Sequence, residues 1–160
     1  MARLDSHHLD AVRLLYTTLK GTSVSWALTG STSLALQDLP LAPNDIDVQT
    51  TGEGAYSIEE QFTECMVEPV SFVSSEQIRS HFGKLVLEDT LVEIMGAVQK
   101  RREDGTWTSP VAIAEHRDII SVEGMQIPVL SLQYEAQAYD QLDETNAPMS
   151  LENTVDTLHR

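Results

Sequence analysis

The sequence predicts an α+β fold: a mixed β-sheet flanked by helices. Apolar residues recur at helical spacing near the amino terminus. Residues 45–50 alternate polar and apolar in period two, and two pairs of apolar runs after residue 83 are each joined by a short polar turn. At 160 residues the chain is expected to form one domain over 1–160, with about 131–160 as a C-terminal helical segment, since domains usually run ~100–200 residues.

Leu9, Val12, Leu15 and Leu19 place a helix over 6–20, with Ser6 able to cap it and Gly21 after its end. Val24, Trp26, Ala27 and Leu28 form a short apolar run that fits a buried strand, ending at Thr29-Gly30-Ser31. Ser33–Gln37 suits a short helix closed by Pro40 and Pro43, and Asp45–Thr50 is the alternating strand. A further helix is expected over 56–66, a strand over Val67–Val73 interrupted by Pro69, and a short helix from Ser74 or Ser75 through His81. Lys84–Leu87 and Leu91–Val98 flank Glu88-Asp89, while Ile119–Val122 and Gln126–Leu130 flank Glu123-Gly124, so both pairs are hairpins by pattern. Ser131–Leu142 reads as a helix, and Ser150–Arg160 as a last helix or a frayed end.

Composition narrows the function classes. Ten Lys and Arg against 25 Asp and Glu give a net charge of −15. Such a chain repels phosphate backbones and anionic membranes at long range, which argues against nucleic acid or a membrane as partner. A small anion held through a divalent cation stays compatible, because the metal inverts the local charge logic. The single cysteine, Cys65, excludes an intramolecular disulfide and a Cys-rich zinc site. No stretch reaches the ~20 apolar residues of a membrane span. Residues 1–8 lack the basic start and apolar block of a signal peptide, so a cytoplasmic location is expected.

Asp45-Ile46-Asp47 is the feature richest in chemistry. Residues i and i+2 of a strand share a face, so both carboxylates point to one side, an arrangement a fold tolerates best with a cation between them. Solvated acids at an exposed strand end are the alternative, weakened because aspartate is unfavourable in strands. Upstream, Leu28-Thr29 runs into Gly30-Ser31 and a short helix, where glycine permits close backbone approach and fresh N–H groups can receive phosphate oxygens; a simple turn is the plainer explanation.

Together, Leu28-Thr29-Gly30-Ser31, thirteen intervening residues and Asp45-Ile46-Asp47-Val48 resemble the signature of the nucleotidyltransferase superfamily, the DNA polymerase β-like fold. The likeness extends from the first helix to about Tyr139 and is greatest to small members related to the aminoglycoside and lincosamide nucleotidyltransferases. It implies a nucleotidyltransferase-like mixed sheet with a third carboxylate on a later strand. Glu93, embedded in Leu91-Val92-Glu93-Ile94-Met95, is the best match, against the alternative of a solvent-facing position. The implied reaction moves a nucleoside monophosphate from a nucleoside triphosphate, expected to be ATP, to a hydroxyl of a small molecule or protein. Asp45, Asp47 and Glu93 would be the catalytic residues and the Mg²⁺ ligands, with Gly30 and Ser31 holding the phosphates. Many relatives carry a basic residue shortly before the aspartates, whereas this chain has Leu41-Ala42-Pro43-Asn44. That departure keeps a second class open, a catalytically inactive binding or antitoxin-like module of the same fold. The short chain also leaves room for an acceptor site completed across a homodimer.

Lys84 and the run Lys100-Arg101-Arg102 hold four of the ten basic residues, and the run reads more simply as a solvated strand end than as a phosphate site. His7 and His8 read as exposed, and His81 and His116 have no ligand spacing. Trp26, Phe72 and Trp107 read as core rather than as a base-stacking platform.

Overall fold

The computed structural model describes residues 4–143, with side chains through residue 137. Helix α1 (Ser6–Leu19) leads to strand β1 (Trp26–Thr29), the short helix α2 (Gly30–Leu36), β2 (Ile46–Thr50) and α3 (Gly52–Gln61). Five strands follow, β3 (Met66–Ser74), β4 (Ile78–Leu87), β5 (Thr90–Lys100), β6 (Arg117–Val122) and β7 (Met125–Leu130), and then helix α4 (Leu132–Asp143). The seven strands form one mixed sheet in the order β3-β4-β5-β2-β1-β7-β6. β2 runs parallel to β5 and β1 parallel to β7; all other neighbours are antiparallel. This is the α+β class that the sequence predicts.

The main core lies on one face of the sheet. Ala11, Val12, Leu15 and Leu19 of α1, with Ala55 and Ile58 of α3, pack on Leu28, Ile46, Val48, Val92, Ile94, Ile127 and Val129. The opposite face carries Ala27 and Leu130 under Ile113 and Tyr134, and α2 buries Leu34 and Ala35 against Leu41. Both hairpin turns are as the pattern implies. Glu88 and Asp89 (φ 48° and 59°), like Glu123 and Gly124 (φ 48° and 82°), all have positive φ, as a two-residue type I′ turn requires.

Several expectations are corrected. The helix placed over residues 74–81 is instead strand: Arg79 and His81 pair with β3 on one side and β5 on the other. Two sheet neighbours satisfy backbone groups that a lone two-turn helix would leave open, and such a helix also carries an unrecovered nucleation cost. Pro69 does not end β3, because β3 is an edge strand where a missing N–H is tolerated. Asp5, not Ser6, occupies the N-cap of α1, without a side-chain capping bond. The helix expected from residue 56 starts at Gly52, capped by the Thr51 hydroxyl accepting from the Gly54 N–H at 2.8 Å, and gives way to a 3-10 turn at Thr63–Cys65. Phe72 is 53% exposed rather than core, while Trp26 is buried. The last helix expected over Ser150–Arg160 lies outside the described residues.

Candidate active site

The sheet aligns the site through register. Thr29 on β1 pairs with Asp47 on β2, Asp47 with Glu93 on β5, and Glu93 with Lys84 on β4. Register partners project side by side from one face, with ~4.8 Å between strands. Asp47 and Glu93, 46 positions apart, are therefore immediate neighbours, and Lys84 Nζ stands 4.0 Å from Glu93 Oε2.

Asp47 is 7% exposed, and its Oδ1 has no hydrogen-bond partner. Two ionised carboxylates cannot donate to each other, so a bond between Asp47 and Glu93 needs a proton on one of them. Burial first, then a hydrogen bond with Glu93 and the charges of Glu93, Asp45 and Glu135, push the Asp47 carboxyl well above the usual carboxylate range. A proton or a cation would each relieve this position. Asp45 sits half-buried immediately before β2. Its carbonyl accepts a 2.6 Å bond from the Thr32 hydroxyl, and Thr32 Oγ1 lies 2.9 Å from His8 Nε2. With the hydroxyl proton directed at Asp45, His8 must be the donor to Thr32, which sets the Nε2–H tautomer. His8 is 2% exposed, and burial lowers its pKa, so the ring is held neutral. His8 is thus a buried support of the Asp45 segment, not the exposed residue its sequence position suggests. A histidine one helical turn before Ala11 and Val12 lies on the buried stripe, and that was the available signal.

Gly30 opens α2 with φ +69°, a left-handed conformation that glycine adopts without steric cost. Its amide, expected to face phosphate, donates instead to Glu135 Oε1 at 3.2 Å, and the Thr29 hydroxyl donates to the same oxygen at 2.6 Å. Ser31 is half-buried beside this turn. Glu135 is a buried acid of α4 that the sequence pattern did not mark.

Lys100 corrects the solvated reading of the basic run, since it is 7% exposed. Seven residues after Glu93, strict alternation would put it on the opposite face. The register between β4 and β5 slips, with Arg79 opposite Gln99 but His81 opposite Gly96, and Ala97 takes φ +55°. This bulge restores Lys100 to the face of Glu93. There Lys100 Nζ lies 5.8 Å from the centre of the Tyr134 ring and feels the charge of Glu135, while burial lowers its pKa to about 8. Arg102 does take the plainer role, bonding Thr106 and the Trp107 carbonyl in a surface turn.

The donor chemistry suits a divalent cation: hard oxygens, mutual repulsion and an unpartnered buried Asp47 oxygen. Among the described residues, no three His, Cys, Asp or Glu side chains are gathered as a ready metal cluster. Asp47 and Glu93 are brought together; Asp45 stands beside them without closing a three-ligand set.

Comparison with known proteins bears on the family and the fold. The sequence profile of the aminoglycoside-2''-adenylyltransferase family matches residues 11–150. A crystal structure from Thermotoga maritima, described as a candidate nucleotidyltransferase, is 46% identical, with 90% of this chain and 89% of that one covered and a TM-score of 0.86. The lincosamide adenylyltransferase LnuA with lincomycin bound shares the fold at 13% identity and TM-score 0.56, covering 97% of this chain and 96% of its own. ANT(2'')-Ia in complex with adenylyl-2''-tobramycin does so at 14% identity and TM-score 0.53, with 91% and 87% covered. No curated protein matches the sequence. The profile runs from within α1 through the aligned acids to Glu135 and beyond, so the chain belongs to the aminoglycoside-2''-adenylyltransferase family, within the nucleotidyltransferase superfamily.

Proposed function

We propose that this enzyme transfers a nucleoside monophosphate, from ATP, to a hydroxyl of a small-molecule acceptor in a Mg²⁺-dependent reaction. The observation that carries the proposal is the in-register placement of Asp47 beside Glu93, with Asp45 two residues before and the Gly30–Ser31 turn on the adjoining strand. Asp45, Asp47 and Glu93 would hold the metal, which when bound supplies positive charge to the phosphoryl oxygens and brings substrate and carboxylates together. Glu93 lies at the edge of the acid pair, next to Lys84, where it can accept the proton of the attacking hydroxyl. Ser31 holds the β- and γ-phosphates through its amide and hydroxyl; the Gly30 amide, engaged by Glu135, shapes the turn instead. The two antibiotic-modifying neighbours, one with lincomycin bound and one with adenylyl-2''-tobramycin, support a small hydroxylated acceptor, and the product in the second supports adenylyl as the group transferred.

Incubation with α-labelled ATP, Mg²⁺ and a panel of hydroxylated acceptors, aminoglycosides and lincosamides included, tests the proposal. Labelled acceptor and released pyrophosphate are expected, with Asp47→Asn and Glu93→Gln lowering the rate at least about 100-fold. The pre-engaged Gly30 amide favours the second possibility, a module that binds nucleotide without transfer. Metal-dependent ATP binding with no transfer to any acceptor would establish that instead.

A further inference from the structure

The mechanism above gives Lys100 no role and Glu135 only its hold on the Gly30 amide, yet both are buried beside it. Glu135 is 1% exposed and Lys100 7%. Burying a carboxylate and an ammonium is costly unless each is compensated, so their joint presence needs a reason. Glu135 Oε1 receives both the Thr29 hydroxyl (2.6 Å) and the Gly30 amide (3.2 Å), gripping the two residues that turn β1 into α2. Lys100 supplies nearby positive charge and lies against the Tyr134 ring, on the residue next to Glu135. The bulge that delivers Lys100 holds Ala97 at φ +55°, a left-handed conformation that an alanine adopts only at a steric cost. Tyr134 is itself anchored, with its amide donating to Ser131 Oγ at 3.1 Å and its ring stacked on His116 at 4.5 Å.

We propose that Glu135 is a positioning residue: it fixes the Thr29–Gly30 turn so that Ser31 faces the triphosphate, coupling the docking of α4 to nucleotide binding. The proposal rests on the phosphate role given to Ser31 above. Glu135 touches neither substrate nor metal; it acts through the turn. Because the linkage is reciprocal, whatever loosens α4 weakens the grip on the phosphates, and bound nucleotide tightens α4.

The test is Mg²⁺-dependent binding of ATP and of AMP, measured calorimetrically, to wild type, Glu135→Ala, Glu135→Gln and Thr29→Val. Glu135→Ala should weaken ATP about 10-fold while leaving AMP, which lacks the β- and γ-phosphates, unchanged. Glu135→Gln, whose amide oxygen can still accept both bonds, should stay within about threefold of wild type. Thr29→Val keeps the side-chain shape and removes the shorter bond, so it should weaken ATP alone, by about threefold, and it serves if Glu135→Ala does not fold. Unchanged ATP affinity in Glu135→Ala, or in Thr29→Val where that variant serves, would overturn the proposal. So would equal losses for ATP and AMP, which would mark a merely structural role. If wild type binds no ATP, the nucleotidyl-transfer proposal fails first, an outcome distinct from a failure of the brace.

Discussion

Asp47→Asn should raise stability while it lowers the rate of transfer at least about 100-fold. In the wild-type protein without metal, Asp47 is buried beside Glu93 with Oδ1 unpartnered. Asparagine sets no second charge against Glu93, and its amide can donate to the Glu93 carboxylate; a bond of this kind is worth ~1–3 kcal/mol, which is the expected gain. For a chain of 150–250 residues, 1 kcal/mol moves Tm by ~2–4 °C, giving an expected rise of about 2–12 °C. The pH dependence has a definite sign. The folded pKa of Asp47 lies above its unfolded value of ~3.9, so the folded state binds the extra proton, and wild-type stability falls as pH rises from ~4 through the folded pKa. The advantage of Asp47→Asn should therefore be small at pH 4.5 and larger at pH 8. Thermal melts followed by circular dichroism in EDTA, at both pH values, measure it. Saturating Mg²⁺ should then stabilise wild type, by ~2.7 kcal/mol at 100 times Kd, and narrow the gap. A variant melting below wild type at pH 8, or a gap that shrinks with rising pH, would refute the reasoning.

Three other outcomes are expected. Nitrogen NMR of Lys100 should show its ammonium titrating near 8, and Glu135→Gln should lower that midpoint, since the Glu135 charge is what holds it up. His8→Gln can still donate to Thr32. Because the folded pKa of His8 is lowered, wild-type stability should decline as pH falls below ~6.5, and the variant should lose less between pH 7 and pH 5 in urea titrations. Gly96→Ala would set a Cβ 2.6 Å from the Thr51 carbonyl oxygen and 2.9 Å from Ala55 Cβ, where α3 begins against β5. A loss of about 1–3 kcal/mol in denaturant midpoint analysis is expected.

Much of the site was legible because it is local. Asp45 and Asp47 stand two residues apart at the head of a period-two run, and Gly30-Ser31 follows an apolar run. Glu93 stands out as an acid within apolar neighbours, so the motif spacing named the superfamily. The two hairpins were equally legible, since Glu88-Asp89 and Glu123-Gly124 each separate two apolar runs. The span over residues 74–81 was not. Its polar residues carry little period, and only pairing to both β3 and β5 makes it strand.

The sequence by itself determined the α+β class, the acids at 45, 47 and 93, and a net charge that disfavours polyanions. Tertiary structure alone decided which of those acids touch. The parallel register of β2 on β5 makes Asp47 and Glu93 neighbours, and strand pairing over 46 positions is not encoded in local spacing. It likewise decided that His8, Lys100 and Glu135 belong to the site's support. His8 is fixed by a bond to Thr32, 24 residues away, and Glu135 by one to Thr29, 106 residues away. Lys100 is placed by a one-residue bulge that reverses its face. A side chain's partner across such distances is set by how the chain packs, and burial then fixes what its charge can do.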